Sequence, residues 1–190
     1  MLKRFQLIIG MAAILVLSAG IAVAQDMPSP SRTPDVPYVP TPPEVVDAML
    51  KMAKVTKSDV IYDLGSGDGR IVIAAAKKYG ATGVGIDINP TLVAEAKANA
   101  EKEGVADKVT FIEGDLFKQD FSKATVITLY LLSSINLKLR PTLLELKPGT
   151  RIVSHAFDMG DWRPDKTEYV DGRAVHFWTV PEKKPAMSDQ

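Results

Sequence analysis

The sequence has no cysteine and no surplus of either charge. Of its 190 residues, 23 are Lys or Arg and 23 are Asp or Glu, so the formal net charge is zero. Without cysteine there can be no disulfide framework, no thiolate metal site and no cysteine nucleophile. A zero balance also argues against binding nucleic acid mainly by neutralising phosphates, so we expect no nucleic-acid partner. No spacing of His, Asp and Glu indicates a metal site, and any chemistry must come from oxygen or nitrogen groups or from a cofactor.

The apolar residues are concentrated at the amino terminus. Residues 1–24 contain Lys3 and Arg4, no acids and a nearly unbroken apolar run that ends in Ala-Val-Ala. This pattern predicts a signal peptide cleaved before Gln25 or, alternatively, an uncleaved anchor. In both cases the positive-inside rule predicts an exported domain, periplasmic or anchored facing away from the cytoplasm, which contacts the membrane only through this segment.

The remainder is predicted to form one domain with flexible ends. Residues 25–37 are rich in proline and are expected to form an extended linker. A folded domain is expected over residues 38–182, with a flexible tail at 183–190. Thr41, followed three residues later by Glu44 and then by apolar residues at helical spacing, predicts a capped helix at the start of the domain.

Strands and helices alternate through this domain. Apolar runs of strand length are followed by segments with helical spacing: strands at 59–64, 82–88, 109–113, 124–131 and 151–156, and helices at 71–79, 91–103 and 136–146. Asp171-Gly172 is typical of a hairpin turn between two further strands. The order predicts an α/β fold with a doubly wound, mostly parallel seven-stranded sheet that ends in an antiparallel hairpin.

The turn after the first strand reads Asp-Leu-Gly-Ser-Gly-Asp-Gly at residues 63–69. In doubly wound sheets a ligand binds beside this turn, and Gly65 and Gly67 allow the backbone to approach it closely. The dinucleotide fingerprint G-x-G-x-x-G would require a glycine where this chain has Arg70. Asp63 would also repel a pyrophosphate. A nicotinamide-dependent oxidoreductase is therefore disfavoured, although it stays an alternative.

Acidic residues stand at the ends of three consecutive predicted strands. Asp63 and Asp87 end the first two strands, and Asp115 follows the third. Because the carboxyl ends of parallel strands meet at one edge of a sheet, we expect these acids to surround one cleft. Each alone could be a turn or cap residue. Together they predict a ligand that has a ribose and a cationic amine but no phosphate.

Residues 63–69 resemble the first motif of class I S-adenosylmethionine-dependent methyltransferases, and the order of elements agrees over about residues 40–180. The resemblance implies a Rossmann-like fold, S-adenosylmethionine as the cofactor and methyl transfer as the activity. It implies that Asp63 holds the methionyl amino group and that Asp87 takes the ribose diol. Asp115 and the Leu116 amide would read the adenine. The implied cofactor-binding residues are Asp63, Gly65, Ser66, Gly67, Asp87, Asp115 and Leu116.

Residues 37–42 (Pro-Tyr-Val-Pro-Thr-Pro), with residues 63–73, resemble more narrowly a branch that includes membrane-associated protein-lysine methyltransferases of mitochondria. This implies a protein lysine as methyl acceptor, with a small amine or hydroxyl compound as the alternative. Tyr130 and His155 are candidate residues of the acceptor pocket, although His155 could be structural. Residues 129–134 depart from the Asn/Asp-Pro-Pro-Tyr segment of many amino methyltransferases, so a nucleoside-binding protein without activity stays a further alternative.

Overall fold

The computed structural model describes residues 37–183. The predicted leader at residues 1–24, the linker up to residue 36 and the tail from residue 184 lie outside the described residues, and so does the predicted cleavage site. Within residues 37–183, no helix is both long and apolar enough to cross a membrane.

The described chain folds into a sheet of seven strands with helices on both faces. The elements in chain order are α1 (Pro43–Met52), β1 (Val60–Leu64), α2 (Arg70–Tyr79), β2 (Thr82–Asp87), α3 (Pro90–Lys102), β3 (Val109–Glu113), a 3-10 turn (Leu116–Lys118), β4 (Val126–Leu129), α4 (Ser133–Leu144), β5 (Arg151–His155), β6 (Lys166–Val170) and β7 (Arg173–Thr179). The strand order is β3-β2-β1-β4-β5-β7-β6. Strands β1 to β5 are parallel, and β7 pairs antiparallel with both β5 and β6. The predicted fold class is confirmed.

The core is divided between the two faces of the sheet because successive side chains of a strand point to opposite faces. Ile61 packs with α1, α2 and α3 in one apolar cluster, whereas its neighbour Tyr62 belongs to the other cluster with α4. Ile152 and Val153 of β5 are divided in the same way. Such double coverage explains why the central strands read as continuous apolar runs.

Two predicted helix starts are corrected by the structure. The predicted cap of α1 at Thr41 is wrong, because Pro42 is the cap residue and the Thr41 hydroxyl lies 3.3 Å from Nδ1 of His155 instead. Helix α4 begins at Ser133 rather than 136, and its start has no side-chain cap that the sequence could have signalled.

The predicted turn between β6 and β7 is confirmed. Asp171 and Gly172 have φ values of 47° and 76°, which is the left-handed conformation that a tight two-residue hairpin requires. The hairpin places β7 beside β5 and leaves the carboxyl ends of β1 to β5 together at one edge of the sheet.

Candidate functional site

A cavity of about 350 Å³ opens at the carboxyl ends of β1, β2 and β4. It brings together most of the predicted ligand residues, which come from the ends of different strands. Those that line it are Asp63, Gly65, Ser66, Asp87, Asp115 and Leu116. Gly67 does not line the cavity, but its amide is bonded to the carboxylate of Asp87, which does. Residues 37–41, which precede α1, form a wall that the sequence did not predict.

Asp63 is the deeply buried acid of this cavity, with 2% of its surface exposed. It lies opposite Thr128 of β4, whose hydroxyl donates a 2.6 Å hydrogen bond to Oδ1 of Asp63. Burial raises the pKa of Asp63 to about 7, in spite of that hydrogen bond and with a further contribution from the charges of Asp87 and Asp68. Within residues 37–183 no cation pairs with it. An acid buried in this way indicates a ligand that brings its own positive charge.

Asp87 is held in a fixed orientation by the backbone. Its Oδ2 accepts a hydrogen bond of 2.8 Å from the Gly67 amide, and its Oδ1 accepts one of 2.9 Å from the Asn89 amide. Each carboxylate oxygen can accept a second hydrogen bond, so the two together can receive a pair of neighbouring hydroxyl groups.

Asp115 has a structural contact besides its place in the cavity. Its Oδ1 accepts a hydrogen bond of 3.1 Å from the Phe117 amide and so caps the 3-10 turn that contains Leu116. This contact fixes the position of Leu116 next to Asp115 in the cavity wall. Ser66 is buried, and its hydroxyl has no hydrogen-bond partner within the described residues, which leaves it free to bond a ligand.

Gly67 allows the segment before α1 to lie on the glycine turn. Its φ is 53°, and a Cβ atom at this position would lie 2.3 Å from Cε2 of Tyr38. Any side chain here would therefore displace the Tyr38 ring from the wall of the cavity. The glycine thus serves the packing of the wall as well as the conformation of the turn.

Arg70 fastens the same wall to the start of α2. Its guanidinium donates to the Asp68 carboxylate at 2.9 Å and 2.6 Å, and its Nη1 donates to the Thr41 carbonyl at 2.9 Å. Burial alone would raise the pKa of Asp68, but the Arg70 guanidinium outweighs burial and holds that pKa below its ordinary value. The sequence showed Arg70 only as a departure from a dinucleotide motif. Its proximity to Asp68 in the turn was the one available signal of an ion pair.

The two residues predicted for an acceptor pocket lie in different layers. Tyr130 lines the main cavity and also a smaller one of about 110 Å³. His155 lines neither cavity; it is buried behind Tyr130, with the two ring centroids 3.9 Å apart. Burial and the charge of Arg173 lower the pKa of His155 to about 4, so its ring is neutral at pH 7. Within the described part of the chain, no group of three or more potential metal ligands is placed to hold an ion.

A doubly wound sheet, a glycine turn after its first strand and a carboxylate at the end of each of its first three strands define a class I S-adenosylmethionine-dependent methyltransferase. The predicted class, enzyme activity and cofactor are confirmed by comparison with known proteins. The family model of the ANTKMT methyltransferase domain matches residues 63–166. The chain therefore belongs to that family.

Curated relatives and a solved structure agree with this membership. A protein-lysine N-methyltransferase of Saccharolobus islandicus (strain REY15A) is 46% identical over 160 residues, which cover 81% of this chain and 99% of that protein. A human lysine N-methyltransferase, named for an ATP synthase component, is 36% identical over 161 residues, covering 84% of this chain and 67% of that protein. An RNA methyltransferase of Salinibacter ruber, solved with S-adenosyl-L-homocysteine, is 59% identical with a TM-score of 0.78 and covers 80% of this chain and 100% of that one.

Proposed function

We propose that this methyltransferase transfers the methyl group of S-adenosylmethionine to a lysine side chain of a protein. The observation that carries the choice of acceptor is the smaller cavity, which meets the cofactor cavity at Tyr130 and has no charged residue among those that line it. Such a route suits an uncharged amine at the end of an alkyl chain. The names of the Saccharolobus and human relatives support the same acceptor.

The residues of the main cavity fit the cofactor. We propose that Asp63 pairs with the methionyl amino group, because this buried carboxylate has no cation of its own among residues 37–183. Asp87, with both oxygens oriented by backbone amides, would accept the two ribose hydroxyls. Asp115 and Leu116 lie where the adenine would be read, and the Ser66 hydroxyl gains a partner.

When bound, S-adenosylmethionine supplies a methyl group on a sulfonium, so that the nitrogen lone pair forms the new N–C bond while the C–S electron pair returns to sulfur. The chain must deliver the nitrogen without its proton, which leaves to solvent. A free lysine amine has a pKa of about 10.4, and apolar walls favour its neutral form. Tyr130, Leu131 and Ile135 provide such walls beside the acids, and they also exclude water.

RNA is a second candidate acceptor because the Salinibacter protein, 59% identical to this chain, is described as an RNA methyltransferase. The smaller cavity has no Lys or Arg among its lining residues with which to bind a phosphate. Lysine is therefore the preferred acceptor.

The two acceptors are distinguished by incubating the full-length protein with S-adenosylmethionine labelled in its methyl group and either a lysine-rich protein extract or total RNA. We expect label on lysine, recovered as methyl-lysine after acid hydrolysis. Label found only on RNA would overturn the proposal. Calorimetric titration with S-adenosylhomocysteine verifies separately that the cofactor site is intact.

We also propose that the catalytic domain is exported, periplasmic or membrane-anchored facing away from the cytoplasm, on the basis of the charged and apolar pattern of residues 1–24. An exported enzyme would need a supply of the cofactor beyond the membrane. Protease protection of intact cells or spheroplasts, with sequencing of the mature amino terminus, tests the location. A domain protected together with a cytoplasmic marker would overturn it.

A further inference from the structure

We infer that the smaller cavity is the channel through which the unbranched alkyl chain of the acceptor lysine reaches the cofactor, and that Phe157 sets the width of this channel. The inference rests on the proposed function, since it names the entry route of the same site. The channel is lined by Pro37, Val39, Tyr130, Leu132 and Phe157.

The channel is continuous with the cofactor cavity. Pro37, Val39 and Tyr130 line both, so that a group passing along the smaller cavity arrives beside the acids at the strand ends. Leu132, which directly precedes α4, is 42% exposed, which leaves an apolar side chain at the surface. A lysine stem can cover such a surface with its methylene groups while its backbone stays outside.

Phe157 is placed by an unusual turn at the end of β5. The preceding residue, Ala156, has a φ of 66°, a conformation that alanine rarely adopts. The Phe157 amide donates a 2.8 Å hydrogen bond to the His155 carbonyl, which closes a three-residue turn around Ala156. The turn directs the Phe157 ring onto Tyr130, with the two ring centroids 6.1 Å apart. Strained backbone of this kind persists where the surrounding structure holds it in place.

Buried polar side chains hold the turn from the other side. The Ser154 hydroxyl donates to the Phe157 carbonyl at 2.7 Å, and the Asn136 amide donates to the carbonyls of Phe157 and Asp158, each at 3.2 Å. Arg140, also buried, donates to the Met159 carbonyl at 3.0 Å. Burying an amide and a guanidinium is unfavourable unless they are hydrogen-bonded, and here their donors serve the carbonyls of the segment that carries Phe157. The position of this ring is therefore fixed by several independent contacts.

An alkyl amine is the occupant that these walls recognise. None of the five lining residues is charged, so the channel offers no counter-ion to a guanidinium, a phosphate or a carboxylate. Two aromatic rings with a proline and two aliphatic side chains instead favour methylene groups. A neutral amine at the end of such a chain enters more easily than an ammonium.

The experiment measures KM for peptides with a single lysine in mixed flanking sequence, together with the affinity for S-adenosylhomocysteine. Phe157→Ala is expected to raise the peptide KM at least 10-fold and to weaken peptide binding to the S-adenosylhomocysteine-loaded protein to a similar degree. The affinity for S-adenosylhomocysteine itself should change less than 2-fold, because Phe157 does not line the cofactor cavity. Phe157→Leu, which keeps an apolar wall, should lie between the wild type and the alanine variant.

Tyr169→Ala is the matched control, since Tyr169 is an aromatic residue of β6 that is 74% exposed and lines neither cavity. It should leave every constant unchanged. If Phe157→Ala fails to fold, as judged by thermal melting, Phe157→Leu carries the test. An unchanged peptide KM and peptide affinity in a folded Phe157 variant would overturn the channel alone. A wild-type protein that binds S-adenosylhomocysteine but methylates no lysine would overturn the proposed function, and the channel with it.

Discussion

Replacing Asp63 by asparagine is expected to stabilise the ligand-free protein at neutral pH while it weakens cofactor binding. The side chain is buried, and its pKa is raised from 3.8 to about 7. A carboxyl group whose pKa is higher in the folded than in the unfolded state binds protons more tightly when folded. Its contribution to stability is therefore unfavourable above pH 4, grows as the pH rises towards 7, and stays constant beyond that.

The size of this effect follows from the pKa difference. Each pH unit of difference corresponds to about 1.4 kcal/mol, so the unfavourable contribution of Asp63 above pH 7 is on the order of 4 kcal/mol. The asparagine side chain of the variant would carry no charge, and its Oδ1 could still accept the hydrogen bond from Thr128. An asparagine NH₂ group without a partner costs about 1 to 3 kcal/mol. A net gain of about 1 to 3 kcal/mol is expected at pH 8, and none is expected at pH 4.5.

The assay is urea denaturation of wild type and Asp63→Asn at pH 4.5 and pH 8, with calorimetric titration of S-adenosylhomocysteine at pH 8. Loss of a charge-assisted hydrogen bond, about 1.5 to 3 kcal/mol, predicts a 10- to 100-fold weaker affinity in the variant. In the wild type the same linkage predicts that affinity rises between pH 5.5 and 8, because the bound cation favours the ionised carboxylate. The reasoning fails if the variant is less stable than wild type at pH 8, or if it binds the ligand equally well.

The remaining predictions concern the wall and the histidine. Gly67→Ala should displace the Tyr38 ring, lower the melting temperature and reduce S-adenosylhomocysteine affinity at least 10-fold; Tyr38→Ala should remove most of this difference, as a double-mutant cycle would show. Arg70→Ala leaves Asp68 without its cation and should expose the wall to limited proteolysis, whereas a protease pattern like that of wild type would contradict the clamp. His155→Gln should change kcat less than 5-fold with no change in its pH profile between 6 and 9, because the ring is already neutral there; a lost alkaline or acidic limb would instead indicate a base.

The cofactor side of the site was predictable from sequence because its signals are local. Each of Asp63, Asp87 and Asp115 follows an apolar run of strand length, and parallel pairing then brings the strand ends to one edge without further information. The glycine turn marks the first strand of the sheet. What the sequence could not show is that Asp115 also caps a 3-10 turn, because that contact depends on the conformation of residues 115–117.

The acceptor side depended on contacts between distant residues. Thr41 has the sequence context of a helix cap, but the fold places His155, 114 residues further along the chain, beside its hydroxyl. Phe157 reaches Pro37 and Val39 only through the completed sheet. A propensity rule has no access to such partners, which is why the cap was predicted at Thr41 and the Phe157 wall was not predicted at all.

Two locally unfavourable features stand at the ends of neighbouring parts of the same sheet. At the end of β1, Asp63 carries the penalty of a buried acid, and just after β5, Ala156 holds a left-handed backbone conformation. Neither improves the packing of the core, and each could be relieved by a single substitution, to asparagine or to glycine. Asp63 lies where the cofactor amine would bind, whereas Ala156 sets the ring that narrows the acceptor channel. Their positions indicate that this sheet edge is shaped for two ligands at the expense of stability, which is what separate sites for a methyl donor and an acceptor require.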